Sequence, residues 1–229
     1  MSAPLVIAVD GPAASGKTTL ATRLARHFDL PFLDTGLLYR AAAWRLLSSG
    51  LAGDDEAALV RAAQAVRLRD LERPELLAEA TGALASRIAA HPAVREALLP
   101  LQRAFAANPK GAVLAGRDVG TVVFPDALAK IFVTASLEER ARRRLCQLRR
   151  RGETPIYARV LEELRERDRR DRERAVAPLR AAPDALLLDT TSLDEAQAFD
   201  RARRFVEQRR QSVGEGRWTA SPPRPDRQP

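Results

Sequence analysis

Apolar residues come in two rhythms along this chain, and they alternate. The run PLVIAV (residues 4–9) is short, uninterrupted by polar side chains and rich in β-branched ones. It predicts a strand buried on both faces, as strands of a parallel sheet are. A glycine-bearing turn follows, then KTTLATRLARHF (17–28), whose apolar positions recur at helical spacing. PFLD (31–34) predicts a second short strand, and GLLYRAAAWRLLSSG (36–50) a helix ending at Gly50. From Asp54 to Leu101 the chain is rich in Ala and Leu with charges interspersed, which predicts several helices punctuated by Pro74, Pro92 and Pro100. GAVLAG (111–116), KIFVTA (130–135) and ALLLDTT (185–191) predict three further buried strands.

The remaining segments are helical. SLEERARRRLCQLRRRG (136–152) opens with Ser136 and Glu139 at capping-box spacing. TPIYARVLEELRERDRRDRERAVAP (154–178) predicts one long helix stopped by Pro178, and LDEAQAFDRARRFVEQRR (193–210) a closing helix. The Pro- and Gly-rich stretch 211–229 predicts a disordered tail. Strands alternating with helices imply an α/β layered fold around a central parallel sheet of about five strands.

Composition narrows the class. At 229 residues and 45% hydrophobic, the chain can bury one core of ordinary size. A net charge of +8 points to anionic partners, although Arg so outnumbers Lys (Lys17, Lys110 and Lys130 only) that coding bias also contributes. Cys146 is the single cysteine, which fits a reducing compartment. No basic segment leads into a long apolar one at the N-terminus, and no window approaches the ~20 apolar residues of a membrane span. A soluble cytoplasmic protein is expected.

The first chemistry lies in GPAASGKTT, spanning Gly11, Pro12, Ala13, Ala14, Ser15, Gly16, Lys17, Thr18 and Thr19. It fits G-x-x-x-x-G-K-[ST] between a predicted strand and a predicted helix, the context a phosphate loop requires. Backbone N–H groups and the helix N-terminus cradle phosphate oxygens. Lys17 reaches the β and γ phosphates of ATP, and the Thr18 hydroxyl can ligate Mg²⁺. The loop alone does not separate a kinase from a GTPase or an ATP-driven motor, but no GTPase-like N-K-x-D is present and the chain is short for a motor with accessory domains.

Two later clusters suggest an acceptor pocket. LDTGLLYR (33–40) brings a carboxylate, the Thr35 hydroxyl, Tyr39 and Arg40 together; Arg40 suits an anionic group, unless Asp34 and Thr35 merely cap the helix. In AGRDVGTVVFPDA (115–127), Arg117 and Asp118 follow the C-terminal end of a strand, where open α/β sheets bind ligands. An Arg–Asp pair there suits a phosphate and a base amino group. The charge run RERDRRDRERAVAPL (165–179) reads two ways. As a helix it puts Arg167, Arg170, Asp171 and Arg174 on one stripe aimed at a ligand, and leaves Asp168–Arg172 and Arg169–Glu173 as solvated pairs.

DGPAASGKTT, LDTGLLYR, VREALL, QRAF, GRDVGTVVFPDA, KIFVTAS, ERARRR, RDRRDRERAVAPL and LLLDTT occur in this order, and together they closely resemble bacterial cytidylate kinases over residues 4–208. The resemblance implies a three-layer P-loop kinase fold over residues 1–210, with an acceptor-binding subdomain at about 36–105 and a lid at about 142–165. It implies transfer of the ATP γ-phosphate to CMP or dCMP by a monomer with small-molecule partners. Arg40 and Arg117 would hold the acceptor phosphate. Thr35, Tyr39, Ser86, Arg95, Asp118 and Arg174 would surround cytosine, while Arg167 and Asp171 face the ribose. Lys17, Arg117, Arg143, Arg144 and Arg170 would meet the charge that develops in transfer. The chain departs from its relatives at about 69–84, where a β-hairpin insertion is usual and none is evident. Two other readings compete. One is a monophosphate kinase preferring UMP. The other is an ATP-switched nucleic-acid-binding module, against which stands an aromatic content of only 5%.

Overall fold

The computed structural model describes residues 4–50 and 55–214. Five strands, β1 (Leu5–Asp10), β2 (Phe32–Asp34), β3 (Gly111–Gly116), β4 (Ala129–Thr134) and β5 (Leu186–Asp189), pair in parallel in the order β2-β3-β1-β4-β5. The helices are α1 (Lys17–Phe28), α2 (Thr35–Ser48), α3 (Glu56–Gln64), α4 (Glu79–Ile88), α5 (Pro92–Ala106), α6 (Leu137–Arg150), α7 (Tyr157–Glu173) and α8 (Glu195–Gly214). Strand β1 is central because its residues are buried on both faces. Ile7 and Val9 join one core with Val113, Ala115, Ile131 and Val133, under α1 and α8. Ala8 joins the other with Leu33 and Leu114, under α2–α5. The two-residue period of the strands thus divides three layers. A third, smaller cluster packs Leu148 of α6 and Val160 and Leu164 of α7 onto Ala13 of the phosphate loop.

The helical stretch between β2 and β3 contains two 3₁₀ turns (Leu68–Glu72 and Pro74–Leu77) and, among the described residues, no hairpin. A buried carboxylate braces it instead. Asp70 accepts from the Arg67 backbone N–H and from Arg45 Nη2 at 2.7 Å. Asp54 lies outside the described residues; α3 starts beyond it, with Asp55 accepting from the Ala57 N–H as N-cap.

Several expected boundaries move. Pro92 opens α5, but Pro100 lies inside it rather than between helices. The carbonyl it deprives, on Glu96, is on the exposed side, while Val94, Leu98, Gln102 and Ala106 keep the opposite face buried. Helix α2 ends at Ser48. The capping box of α6 is half made: Ser136 Oγ accepts from the Glu139 N–H, while the Ser136 N–H donates to Thr191 Oγ1 and Glu139 turns to Arg142 and Arg143. Helix α7 stops at Glu173, well before Pro178. Arg174 is extended, Ala177 is left-handed with φ 52, and the Leu179 N–H returns to the Asp171 carbonyl at 2.7 Å. Helix α8 continues to Gly214, so residues 211–214 belong to it and not to a tail; 215–229 lie outside the described residues. No helix among the described residues is long and apolar enough to cross a membrane.

Candidate active site

The site is the cleft at the C-terminal ends of β1, β2 and β3. The phosphate loop leaves β1 at Gly11, where any Cβ would stand 2.0 Å from the Val133 carbonyl oxygen, and enters α1 through Gly16, left-handed at φ 88. Only glycine meets both demands. Ala13, Ala14, Gly16, Lys17, Thr18 and Thr19 line the cleft, while Gly11 and Pro12 are buried and do not. Lys17 Nζ donates to the Pro12 carbonyl at 3.3 Å, and its burial lowers its pKa to about 7, helped by the nearby Arg117 charge. Ser15 faces the outer side of the loop, where its carbonyl accepts from Thr190 Oγ1 at 3.0 Å.

Asp34 does two jobs: the helix cap that the sequence offered, and a contact with the phosphate-loop hydroxyl that it did not. One carboxylate oxygen caps α2 by accepting from the Gly36 N–H at 3.0 Å; the other accepts from Thr18 Oγ1 at 3.1 Å. A lone hydroxyl with one carboxylate beside it is a donor set suited to Mg²⁺ that keeps phosphate and water as its other ligands. Among the described residues no group of three or more His, Cys, Asp or Glu gathers to form an all-protein metal cage.

On the acceptor side, the tip of β3 delivers Arg117 and Asp118, and a π-helical turn (Val119–Val123) follows. Asp10, the last residue of β1, ties that turn down by accepting from the Val119 N–H at 2.8 Å and the Gly120 N–H at 2.7 Å. No motif signalled this role, because the two ends of the contact lie 109 and 110 residues apart. Asp118 is buried between Arg95 Nη2, in direct hydrogen bond, and Arg174 Nη2 at 3.5 Å. Burial pushes its carboxyl above the usual range, while those two arginines and Arg117 pull it back. Arg117 Nε donates to Asp171 at 2.8 Å; burial raises the Asp171 carboxyl, but Arg117 and Arg167 outweigh it and hold the group below its ordinary value. Thr35 Oγ1 donates to the Ala115 carbonyl at 2.9 Å, and Tyr39 is buried beside Arg95. Ser86 of α4 and Arg95 of α5 line the same cleft despite the missing hairpin.

Helices α6 and α7 form the roof with Arg144, Gln147, Leu164 and Arg167. Arg151 Nη1 reaches across to the Leu77 carbonyl at 3.3 Å, joining the roof to the acceptor side. Arg174 lies in the cleft although it falls beyond α7, so it arrives by the chain's return and not by helical spacing. Two predicted arginines are elsewhere. Arg143 points to the outer side of the phosphate loop, donating to the Thr190 carbonyl at 2.6 Å and Thr190 Oγ1 at 2.9 Å, in a second groove with Thr19, Arg23 and Glu139. Arg170 is exposed and lies 3.7 Å from Glu166. The solvated pairs also differ. Asp168 is buried and bonded to Arg140 rather than Arg172, and Arg169 pairs with Glu166 rather than Glu173.

The cleft is strongly electropositive. Lys17, Arg40, Arg95, Arg117, Arg144, Arg167 and Arg174 line it against only Asp34, Asp118 and Asp171. Burial, then neighbouring arginines, lower Arg167 to about 10 and depress Arg40 and Arg144. Cations forced together in this way bind an anion more tightly than isolated ones. Ser86 Oγ, Arg167 Nε and Arg174 Nη2 are buried in the cleft without a hydrogen-bond partner, as are Ser15 Oγ, Arg45 Nε and Asp168 Oδ1 outside it.

Asp10 also titrates unusually. Burial raises its carboxyl to about 6 against the two N–H donors. A group bound more tightly to its proton when folded stabilises the protein on the acid side of its range, so this contribution fades as pH rises from about 4 to about 6. The unfolding free energy of wild type relative to Asp10→Asn is therefore expected to fall over that interval, as measured in urea titrations at several pH values. A constant difference would show that folding does not raise the Asp10 pKa.

The comparisons with known proteins agree with this geometry. The cytidylate kinase family model matches residues 7–208. The chain is 54% identical to the cytidylate kinase of Methylocella silvestris over 212 residues, 93% of this chain and 98% of that one. It is 55% identical to the cytidylate kinase of Xanthobacter autotrophicus over 206 residues, 90% and 99% of the two chains. Among solved structures, a gluconokinase from Sinorhizobium meliloti shares the fold at a TM-score of 0.51 and 16% identity, covering 93% of this chain and 97% of that one. A phosphate loop at the tip of β1, an arginine-rich acceptor cleft beside it and similarity along nearly the whole length lead to one conclusion: the chain belongs to the cytidylate kinase family.

Proposed function

We propose that the cleft transfers the γ-phosphate of ATP to CMP or dCMP, giving ADP and the pyrimidine diphosphate. The observation that carries the acceptor assignment is Asp118, a buried carboxylate held by Arg95 and Arg174 in an anion-binding cleft. Its oxygens keep lone pairs to accept from the cytosine N4 amino group, which uracil lacks. Arg95 donates to the O2/N3 edge, with Thr35, Tyr39 and Ser86 around the ring. Arg40 and Arg117 hold the acceptor phosphate, and Arg167 and Asp171 the sugar. In this reading an oxygen of the CMP phosphate attacks the γ-phosphorus as its bond to the β-phosphate oxygen breaks, and ADP leaves with that electron pair. The acceptor phosphate is already ionised, so no general base is required. Lys17, Arg117, Arg144 and Arg167 stabilise the charge in flight, which is most of the catalysis such transfers need. Thr18 would hold Mg²⁺, with Asp34 orienting its hydroxyl. Mg²⁺ held there would neutralise phosphate charge. The roof of α6 and α7 (the lid, about 142–165) excludes water that would otherwise take the phosphoryl group; the acceptor subdomain is the helical stretch at about 36–105. A monomer in the cytoplasm, without nucleic acid, completes the reading.

Turnover with CMP, dCMP, UMP and AMP at fixed ATP tests it. CMP and dCMP are expected to exceed UMP by at least about fivefold in kcat/KM, the lower end of one base-reading contact. Best turnover with AMP would overturn the assignment.

A further inference from the structure

The charge run on α7 contains a buried residue that binds neither phosphate nor base. The buried positions of α7 are Val160, Leu164, Asp168 and Asp171. An apolar stripe at four-residue spacing is continued by two carboxylates, and each meets one arginine. Asp171 meets Arg117 in the cleft, and Asp168 meets Arg140 beneath it. The second pair is the more enclosed. The Arg140 side chain is 4% exposed and that of Asp168 7%.

Arg140 joins three segments that otherwise have no common strand or helix. Its Nη2 donates to Asp168 Oδ2 at 2.6 Å, on α7. Its Nε donates to the Ala135 carbonyl at 3.0 Å, where β4 hands the chain to α6. Its Nη1 lies 3.4 Å from the Ala13 carbonyl, in the phosphate loop. One planar fork therefore fixes the loop, the end of the sheet and the rotation of α7 together. Each residue turns an α-helix by about 100°, so Arg167 and Asp171 lie on nearly one face, with Asp168 round the axis from them. Holding Asp168 sets the direction in which that face looks.

The energetics suggest that the pair is kept for geometry. A buried ion pair gains little over well-packed apolar side chains of the same size, because desolvation offsets the attraction. Leu164 and Val160 beside it already pack apolar surface on Ala13. What an apolar pair cannot supply is direction.

We propose that Arg140 and Asp168 are positioning residues for phosphoryl transfer: they lock the rotation of α7 to the phosphate loop, so that Arg167 and Asp171 on the acceptor side stay in register with Lys17 on the donor side. The proposal rests on the cleft being the CMP kinase site, and wild-type turnover with CMP checks that separately. If wild type fails to phosphorylate CMP, the functional reading is wrong; if wild type works, the variants judge the lock alone.

The experiment is the double variant Arg140→Met/Asp168→Leu, with melting temperature, active-site titration and the full set of steady-state constants. It is expected to melt within a few degrees of wild type, since no charge is stranded. Its kcat/KM is expected to fall about ten- to a hundredfold, the scale of a misplacement of order 1 Å. The KM values for both ATP and CMP should rise, because both sides of the lock move. A pair that only supports the fold would lower the titrated active fraction and leave both KM values unchanged, and that result would overturn the proposal. If the double variant does not fold, Arg140→Lys carries the test. It keeps the charge opposite Asp168 but lacks the fork that reaches the Ala13 and Ala135 carbonyls. The same rise in both KM values is expected, and wild-type constants in that variant would sink the lock.

Discussion

Lys17→Ala is expected to lower kcat with CMP by about a thousandfold or more while the protein stays folded. A single well-placed donor to developing charge contributes about 10²- to 10³-fold, and Lys17 is a cationic donor once phosphate lies beside it. Folding is spared for an identifiable reason. Lys17 is 8% exposed, burial has already lowered its pKa to about 7, and its one hydrogen bond goes to the Pro12 carbonyl. Its ammonium costs desolvation in the free protein and recovers that cost only when phosphate binds. The melting temperature of the variant without nucleotide should therefore equal or exceed that of wild type. The rise in melting temperature on adding ATP should shrink. A variant that keeps wild-type kcat would remove Lys17 from the transfer step.

The second large effect concerns which base is accepted. Asp118→Asn is expected to reduce kcat/KM for CMP by about ten- to a hundredfold, with less change for UMP, so that discrimination collapses. The amide keeps the shape of the side chain but presents a donor on one side, where cytosine also presents one. This substitution also costs stability. Arg95 and Arg174 would remain buried with their counter-charge gone, a loss of up to about 3–5 kcal/mol for a severed buried pair. The two consequences separate in practice: selectivity is a ratio within one variant, so the fraction of folded protein cancels. Unchanged CMP-to-UMP discrimination in Asp118→Asn would refute its base-reading role, whatever happens to the melting temperature. Asp118→Ala removes the hydrogen bonds as well as the charge, so it destabilises more.

Some of this was written in contiguous residues. The phosphate loop is a local device whose backbone geometry follows from Gly11 and Gly16 and from the helix that starts at Lys17. The five strands were readable as short apolar runs, and α1 ran from Lys17 to Phe28 as its apolar spacing predicts, but the expected burial on both faces fails at β5, an edge strand whose Leu187 is 67% exposed. Helix ends were less legible. Pro178 suggested the end of α7, yet the chain turned after Glu173 because Arg174 was drawn to Asp118 and the Leu179 N–H to the Asp171 carbonyl.

Side-chain direction within the arginine runs was legible only in part: Arg167 and Asp171 line the cleft as the helical stripe predicts, whereas Arg170 on the same stripe is exposed. Arg143 and Arg144 are neighbours in sequence, but one helical step of about 100° sends Arg144 into the cleft and Arg143 to Thr190 behind the phosphate loop. Asp168 resembled its exposed neighbours until α6 was laid against it and brought Arg140 within 2.6 Å. Asp10 gave no signal beyond ending a strand, since the N–H groups it accepts from belong to a turn on the far side of the chain.

The sequence by itself therefore determined the layers and the nucleotide loop, because periodicity and local turn chemistry are properties of neighbours along the chain, and the family of the acceptor cleft came from the resemblance of its ordered motifs. Tertiary structure alone decided which charges face the ligand, which hold one another and which meet water. An arginine's role depends on the nearest carboxylate in space, and here those carboxylates come from segments that only folding brings together.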